Sequence, residues 1–410
     1  MNKTTIKIFL SSIIYVFLSN LDILITEAIK LIKKLLIFLL IISLLPITNL
    51  QAIENDITPN ASGAILIDAD SKQILYDKNA DKKLFPASTT KIMTMIIMFE
   101  AINNKKISFD DQVTTSKYAA SMGGSQVYLE EGENMSLEDM FKSIAIASAN
   151  DASVAVSEYI AGSTNKFVEM MNQKAKELNL KNTHFENVTG LHDNNHYTCP
   201  YDLAMMASYL IKIGGNKLLS VTSLYDSYIR EDTKQSFWLV NTNKLLKLYD
   251  GVDGLKTGYT KEAGYCLVTT AKRDGQRLVG VVMKESEPKK RNEEMCNLLD
   301  YGFNNYKREI IYKKDSIIEK HVVDKMDNLT INVVCKEDIA YIKAKANDQK
   351  YTTKIVYKDN LLPVKKGDIV ATLTVLCDDK EITSYNLYSD NDVEKATYFS
   401  KLIKTFKLLF

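Results

Sequence analysis

The stretch Phe85-Pro86-Ala87-Ser88-Thr89-Thr90-Lys91 places a serine three residues before a lysine, at the start of an apolar segment that runs to Phe99. This segment is too apolar for a surface loop and predicts a buried helix, and Pro86 suits a first helical turn. The spacing puts the Lys91 amine on the same face as the Ser88 hydroxyl. Backbone N–H groups at a helix start point towards incoming negative charge. The sequence therefore predicts a nucleophilic serine with a lysine as its base.

A serine hydroxyl is a weak nucleophile and needs a base within hydrogen-bond reach. Lys91 can be that base only if burial and a nearby positive charge lower its pKa, because an exposed ammonium keeps its proton at neutral pH. Lys256 is our candidate for the second cation. The backbone N–H of Ser88 would be one donor to the oxyanion that forms during acyl transfer.

Two further motifs follow in chain order. Ser148-Ala149-Asn150 lies between two apolar stretches and predicts a helix-to-helix corner with polar side chains that point into a cleft. Lys256-Thr257-Gly258-Tyr259-Thr260 predicts an edge strand, in which Gly258 lets a peptide substrate lie close alongside. Each motif alone is common in proteins. Their joint occurrence in this order indicates acyl transfer by a serine with a lysine base.

The wider sequence resembles the serine-type D-alanyl-D-alanine carboxypeptidases, which are low-molecular-mass penicillin-binding proteins. The resemblance runs from about Ile57 to about Tyr306. The segments that carry it are Phe85-Pro86-Ala87-Ser88, Gly123-Gly124-Ser125, Ser148-Ala149-Asn150-Asp151-Ala152, Gly190-Leu191-His192-Asp193, His196-Tyr197-Thr198 and Asp253-Gly254-Leu255-Lys256-Thr257-Gly258.

The resemblance implies removal of the terminal D-alanine from peptidoglycan stem pentapeptides through an acyl-serine intermediate. β-Lactams would acylate the same serine as substrate mimics, and no cofactor or metal is implied. Each site residue takes a role by resemblance. Ser88 is the nucleophile, Lys91 the base, Ser148 a proton relay to the leaving amine, Asn150 a substrate contact, Lys256 and Thr257 the carboxylate site, and Tyr259 the second oxyanion donor through its backbone N–H. The substrate contact of Gly258 is predicted from the edge-strand pattern.

Two alternatives share these motifs. A class A β-lactamase must hydrolyse its acyl-enzyme quickly and uses a glutamate and a held water to do so. The only similar stretch is Ala175-Lys176-Glu177-Leu178-Asn179, in which alanine occupies the position of that glutamate, and we interpret it as a helix end. Slow deacylation and inhibition by β-lactams are therefore expected. The second alternative is a catalytically weak penicillin-binding scaffold at the membrane, which stem-peptide turnover would exclude.

A zinc hydrolase is the third alternative, suggested by His192-Asp193-Asn194-Asn195-His196. A zinc pair at this spacing normally lies on a helix, whereas the sequence after Gly190 predicts a loop. We interpret the segment as a loop that shapes the cleft.

Composition agrees with an exported enzyme of more than one unit. The chain has 410 residues with 46% hydrophobic content, and its net charge of +1 gives no case for nucleic-acid binding. A secretory signal is predicted within residues 1–52. Its parts are Lys33-Lys34, the apolar run Leu35–Leu45 and a small-residue cleavage site near Ala52. The signal lies unusually far from Met1, so a start codon downstream of Met1 is favoured over an additional membrane segment. The expected location is the outer face of the cytoplasmic membrane or the cell wall.

The expected fold class is α+β, a β-lactamase/transpeptidase-like antiparallel sheet with an inserted helical lobe. Predicted hairpins at residues 64–76 and 265–283 build the sheet from both ends, and the catalytic domain is assigned to residues 53–308. Short β-type runs then predict a small all-β domain at residues 309–390.

The last segment, residues 391–410, predicts a basic amphipathic helix that binds the membrane surface and is too short and too charged to span it. Five cysteines cannot all pair within one chain. The sequence does not decide whether Cys335 and Cys377 form a disulfide bond. Cys266 is expected to be a buried apolar residue.

Overall fold

The computed structural model describes residues 30–36, 56–231, 233–324, 329–346 and 349–395. The chain divides into two units, Met1–Asp56 and Ile57–Phe410. In the first unit, residues 30–36 form a helix, and the rest of the predicted signal lies outside the described residues. Within the described ranges, no helix is both long and apolar enough to cross a bilayer.

A five-stranded antiparallel sheet forms the frame of the catalytic part, with the order β2-β1-β9-β8-β7. Both predicted hairpins are present, and β7, which carries Lys256, is an edge strand as predicted. Both faces of the sheet are covered: Ile65 and Ile67 of β1 pack on the helical lobe, whereas Ala64 and Leu66 face a second core. The five strands are β1 Gly63–Asp68, β2 Ile74–Lys78, β7 Val252–Thr260, β8 Gly264–Arg273 and β9 Gln276–Glu285.

The helical lobe is inserted between β2 and β7. Its central helix, Lys91–Asn103, is buried on nearly every side, which explains its almost continuous apolar sequence. The Ser136 side chain caps the helix that begins at Leu137, and the helix that begins at Asn150 ends before Gly162. The helices are α1 Lys91–Asn103, α2 Lys117–Ala120, α3 Leu137–Ala145, α4 Asn150–Ala161, α5 Thr164–Glu177, α6 Pro200–Thr222, α7 Leu245–Leu248 and α8 Pro288–Asn305.

Two small ribbons complete the lobe, and α8 covers the outer face of the sheet. Strands β3 (Gln112–Thr114) and β4 (Asn134–Ser136) form one ribbon, and β5 (Asp226–Ile229) and β6 (Phe237–Val240) form the other. The long helix α6 is interrupted at Gly215, which has φ +49°. The end of α5 at Glu177 agrees with the interpretation of residues 175–179 as a helix end.

A C-terminal all-β module follows, as predicted. Its main sheet has the order β11-β12-β16-β15-β14, and β10 pairs with β13. The ring of His321 on β11 stacks on Tyr357 of β14 at a centroid distance of 3.6 Å, so side chains join the two edges of the main sheet. The strands are β10 Tyr306–Tyr312, β11 Ile317–Asp324, β12 Leu329–Val334, β13 Ile339–Ala344, β14 Tyr351–Tyr357, β15 Ile369–Cys377 and β16 Lys380–Ser389.

The module joins the catalytic part without a linker, because α8 ends at Asn305 and β10 begins at Tyr306. Ile342 of β13 packs in the same core as α8. The predicted domain boundary at residue 308 thus falls within β10, and the division into residues 53–308 and 309–390 stays a prediction.

All five cysteines are free, so Cys335 and Cys377 are not bridged in this structure. Cys266 is fully buried, as expected. Most of the predicted amphipathic segment, residues 396–410, lies outside the described residues.

Candidate active site

Ser88 lies in a short 3-10 helix, Ala87–Thr90, that leads directly into α1. The prediction placed Ser88 at the start of the α-helix itself, but Ala87 has φ +49°, which breaks the helical path just before the serine. Such a backbone conformation is costly for a non-glycine residue and is concentrated at functional sites. The α-helix proper therefore begins at Lys91, three residues later.

The Lys91 amine is fully buried and lies 3.1 Å from the Ser88 hydroxyl oxygen. It also donates to the Asn150 Oδ1 atom at 2.7 Å and to the Thr189 backbone carbonyl at 2.8 Å. Both of these oxygens only accept hydrogen bonds. A neutral amine can satisfy them with its two hydrogens while its lone pair faces the Ser88 hydroxyl. This geometry suits a general base.

The pKa of Lys91 is held well below its usual range. Desolvation in the buried site is the main cause, and the positive charge of Lys256 adds to it. The carboxylate of Asp151 acts in the opposite direction. Lys256 thus supplies the neighbouring charge that the sequence analysis assigned to it, and the two lysines together favour a neutral Lys91.

Asn150 connects the lysine to the loop on the other side of the cleft. Its Nδ2 atom donates to the Gly123 carbonyl at 2.7 Å, and its backbone N–H donates to the Ser125 carbonyl at 2.7 Å. An added Cβ on Gly124 would lie 2.8 Å from the Asn150 Nδ2 atom, at φ +82°. The structure therefore commits the Asn150 side chain to Lys91 and the 123–125 loop, while its predicted substrate contact stays a prediction.

Ser148 lies at the corner between α3 and α4, as predicted, with φ +63°. It is buried beside Asn150, and no hydrogen bond of its hydroxyl to another residue in the described part of the chain is found. The relay role that the resemblance implies for Ser148 stays a prediction.

The Lys256 amine is buried and donates to the Thr257 carbonyl at 3.0 Å. Desolvation and the charge of Arg291 lower the pKa of Lys256 to about 7. The Thr257 hydroxyl donates to the Thr242 hydroxyl oxygen at 2.7 Å. Hydrogen bonds to the Thr257 carbonyl and to Thr242 therefore hold the Lys256 and Thr257 side chains in place.

This pKa predicts an alkaline limit on substrate binding. Below about pH 7 Lys256 is an ammonium that can bind a carboxylate, and above it the charge is lost. We expect kcat/KM to fall as pH rises through about 7, since kcat/KM reports pKa values of the free enzyme. A pH profile of Lys256→Arg checks this, because arginine stays charged and should remove the alkaline limb. An unchanged limb in that variant would assign it to another group.

Gly258 is required by the protein's own backbone. An added Cβ there would lie 2.9 Å from the Pro86 carbonyl oxygen and 3.0 Å from the amide nitrogens of Ser88 and Thr89. The sequence prediction had attributed this glycine to the approach of a ligand. The amide nitrogen of Ser88 thus lies beside β7, in which Tyr259 follows Gly258. Tyr259 is exposed, and its ring stacks on the ring of Tyr265 at a centroid distance of 4.3 Å.

Gly258→Ala is expected to push β7 away from the 3-10 helix and to lower the rate of serine acylation about a hundredfold, because small displacements at a reacting centre have large costs. The rate of labelling by a fluorescent penicillin measures this. Gly123→Ala is the matched control, since nothing lies within 4 Å of its added Cβ. Equal labelling of both variants and the native chain would show that β7 tolerates the methyl group.

The His192–His196 segment is a loop, as predicted. His196 is buried, accepts a hydrogen bond from the Glu186 N–H at 3.1 Å, and lies 2.8 Å from the Thr90 hydroxyl. Burial lowers its pKa to about 4, so the ring is neutral and supports the segment around Ser88. Both ring nitrogens are thereby occupied, and among the described residues no group of three or more potential ligands is arranged around a metal position.

Three supporting residues escaped the sequence analysis. Thr189 acts through its backbone carbonyl, which any residue type provides. Thr242, which contacts the Thr257 hydroxyl, and Arg291, whose charge lowers the pKa of Lys256, are distant in sequence from the motif that they support. These contacts could not be predicted from the sequence, because they depend on how distant segments pack together.

A serine beside a buried lysine, at a cleft between a helical lobe and an edge strand, defines a serine acyl transferase of the penicillin-binding class. The family model for D-alanyl-D-alanine carboxypeptidases matches residues 50–287, and that for the penicillin-binding protein 5 C-terminal domain matches residues 306–395. The chain belongs to the D-alanyl-D-alanine carboxypeptidase family. It is a serine-type D-Ala-D-Ala carboxypeptidase with the predicted α+β fold.

Known proteins of similar sequence and structure support this assignment. D-alanyl-D-alanine carboxypeptidase DacF of Bacillus subtilis is 44% identical over 86% of this chain and 90% of the relative. The crystal structure of PBP3 from Streptococcus pneumoniae, a peptidoglycan synthesis regulatory factor, has a TM-score of 0.69 and 28% identity, covering 82% of this chain and 99% of that one. Penicillin-binding protein D2 from Listeria monocytogenes, solved in an ampicillin-bound form, has a TM-score of 0.54 and 30% identity, covering 60% and 98%.

Proposed function

We propose that Ser88 attacks the carbonyl carbon between the last two D-alanines of a peptidoglycan stem pentapeptide. Lys91 takes the proton of the Ser88 hydroxyl, and the new C–O bond gives a tetrahedral intermediate. Its oxyanion would be held by the backbone N–H groups of Ser88 and Tyr259. The observation that carries the proposal is the buried Lys91 amine, 3.1 Å from the Ser88 oxygen with two acceptor oxygens on its other side.

Collapse of the intermediate breaks the C–N bond and releases D-alanine. Ser148 passes a proton to the leaving amine, and Lys256 with Thr257 holds the terminal carboxylate of the substrate. Water then attacks the acyl-serine ester and frees the shortened peptide and the Ser88 hydroxyl. The positions of Lys256 and Thr257 on an edge strand suit a peptide that adds alongside β7.

The test is release of free D-alanine from a soluble peptide that ends in Lys-D-Ala-D-Ala. A peptide that ends in D-Ala-L-Ala is the matched control. Release from the first and much less from the second is the expected result. No release from either peptide, by a chain that still forms an acyl-enzyme with penicillin, would favour the scaffold alternative.

We also propose that β-lactams acylate Ser88 and that the resulting acyl-enzyme is hydrolysed slowly. In the described part of the chain, the hydrogen-bond partners of the Lys91 amine are Ser88, Asn150 and Thr189, and none of them is a carboxylate, which supports slow deacylation. Alanine at position 175 and the position of Glu177 at the end of α5 agree with this. A labelled penicillin should remain bound for minutes or longer, whereas rapid turnover would support the β-lactamase alternative.

Export to the outer face of the cytoplasmic membrane completes the proposal. The signal pattern within residues 1–52 and the basic, amphipathic sequence of residues 391–410 support it. Liposome flotation of the mature chain with and without the residues after Asp392 tests the C-terminal contact. Equal flotation of the two forms would show that residues 393–410 do not contribute to membrane binding.

A further inference from the structure

Two large aromatic side chains lie exposed and side by side on the β5–β6 hairpin. Tyr228 and Trp238 are direct cross-strand partners, 49% and 54% exposed. Their strand neighbours Ile229 and Leu239 point to the opposite face and are fully buried in the lobe. Trp238 is the only tryptophan of the chain. We call Tyr228 and Trp238 the aromatic pair.

The hairpin that carries the aromatic pair is fastened to the lobe. Arg230, the residue after β5, binds both carboxylate oxygens of Glu133, at 2.6 and 3.1 Å, and donates to the Val127 carbonyl at 3.1 Å. These contacts fix the hairpin before any ligand arrives, so less ordering is needed on binding.

The base of the hairpin borders the catalytic cleft. The Asn241 N–H donates to the Tyr225 carbonyl at 2.7 Å and closes the hairpin stem. The next residue, Thr242, contacts the Thr257 hydroxyl at 2.7 Å. Trp238 precedes Thr242 by four residues, which corresponds to about 13 Å of extended chain.

This chain length sets an upper limit on the distance from Trp238 to Thr242, and that limit is comparable to the reach of the proposed substrate. In a stem pentapeptide, three residues separate the last two D-alanines from the sugar, and they span about 10 Å when extended. We infer that the aromatic pair is a carbohydrate platform that binds N-acetylated amino sugars of the glycan strand while the attached peptide lies in the cleft. The inference rests on the proposed function. Tyrosine and tryptophan rings offer flat apolar faces with a polar edge, which suits sugar rings.

The charge of the hairpin favours an uncharged ligand. Residues 224–240 contain three acidic side chains (Asp226, Glu231 and Asp232) and two basic ones (Arg230 and Lys234). Binding to anionic lipids depends on clusters of basic residues. An acetylated sugar, which carries no charge, is therefore favoured over an anionic membrane surface.

Tryptophan fluorescence of the native full chain, excited at a wavelength that tyrosine does not absorb, tests the site directly, because Trp238 is the only tryptophan. The probe is a soluble β-linked tetramer of N-acetylglucosamine. A saturable change in emission is expected, and Tyr228→Leu should weaken the apparent affinity about tenfold. No change with the tetramer would overturn the inference. A change only with phosphatidylglycerol vesicles would also overturn it and assign the aromatic pair to the membrane.

Turnover of two substrates provides the second measurement. Trp238→Leu should lower kcat/KM about tenfold for pentapeptide attached to glycan strands and leave the free pentapeptide unaffected. Leu248→Ala, at another side chain that is 70% exposed, is the control and should change neither value. Equal effects on both substrates, or no effect on either, would contradict the platform. No D-alanine release by the native chain from either substrate would instead reject the proposed function.

Discussion

Ser88→Ala should release D-alanine at less than about one ten-thousandth of the native rate, because loss of a nucleophile removes the acyl-enzyme route altogether. Labelling by a fluorescent penicillin should disappear with it. The fold should be kept, since the Ser88 hydroxyl contacts only the Lys91 amine in the described part of the chain. Amino-acid analysis of released D-alanine and gel detection of the label measure the two effects.

The control for this variant is Ser223→Ala, which removes a hydroxyl at the exposed end of α6 and should leave both activities unchanged. Persistent labelling of Ser88→Ala would identify a different nucleophile. The nearby Ser148 would then be the first residue to examine.

Lys91→Met should slow acylation of Ser88 by about a thousandfold, in line with the usual contribution of a general base. Methionine has a similar length but cannot accept the serine proton. It would also leave the Asn150 Oδ1 atom and the Thr189 carbonyl without their donor. Each orphaned buried acceptor should reduce the free energy of unfolding by about 1–3 kcal/mol. Stopped-flow acylation and thermal unfolding measure the two losses separately.

Lys176→Met, on the exposed side of α5, is the matched control. The pH profile of the native chain adds a second criterion. Only neutral Lys91 can accept a proton, so acylation should slow as pH falls through its lowered pKa. Removing the positive charge of Lys256 should raise the Lys91 pKa and move this acid limb to higher pH. A rate that stays flat from about pH 5 to about pH 9 would exclude Lys91 as the base.

Local sequence patterns predicted the elements that carry the chemistry. The apolar run after Lys91 predicted a buried helix, and α1 is buried on nearly all sides. The hairpin patterns on either side of the lobe predicted one sheet built from the segments before and after it, and β7 lies at the edge of that sheet. These features depend on residue periodicity and turn residues, which a single sequence displays.

Contacts between distant segments could not be predicted. The Thr189 carbonyl reaches Lys91 only because Gly190 packs against Ala87, where an added Cβ would lie 1.8 Å from the carbonyl oxygen. The predicted substrate contact of Gly258 stays a prediction, and the structure adds a constraint that the sequence did not show, the backbone beside Ser88. These contacts join segments that lie far apart in the sequence, and local sequence patterns give no rule for such tertiary packing.

The direct junction of α8 and β10 makes the C-terminal module a strut. The Lys345 N–H and amine donate to the Asn305 and Phe303 carbonyls, both at 2.8 Å, and the Arg308 guanidinium lies 3.9 Å from the Asp70 carboxylate. These contacts fix both the orientation of the C-terminal module and its distance relative to the catalytic part. If the far end of the strut is held at a surface, the cleft works at one height above that surface and faces one direction. The enzyme would then act only on the stem peptides of the wall layer that lies at that distance from the surface.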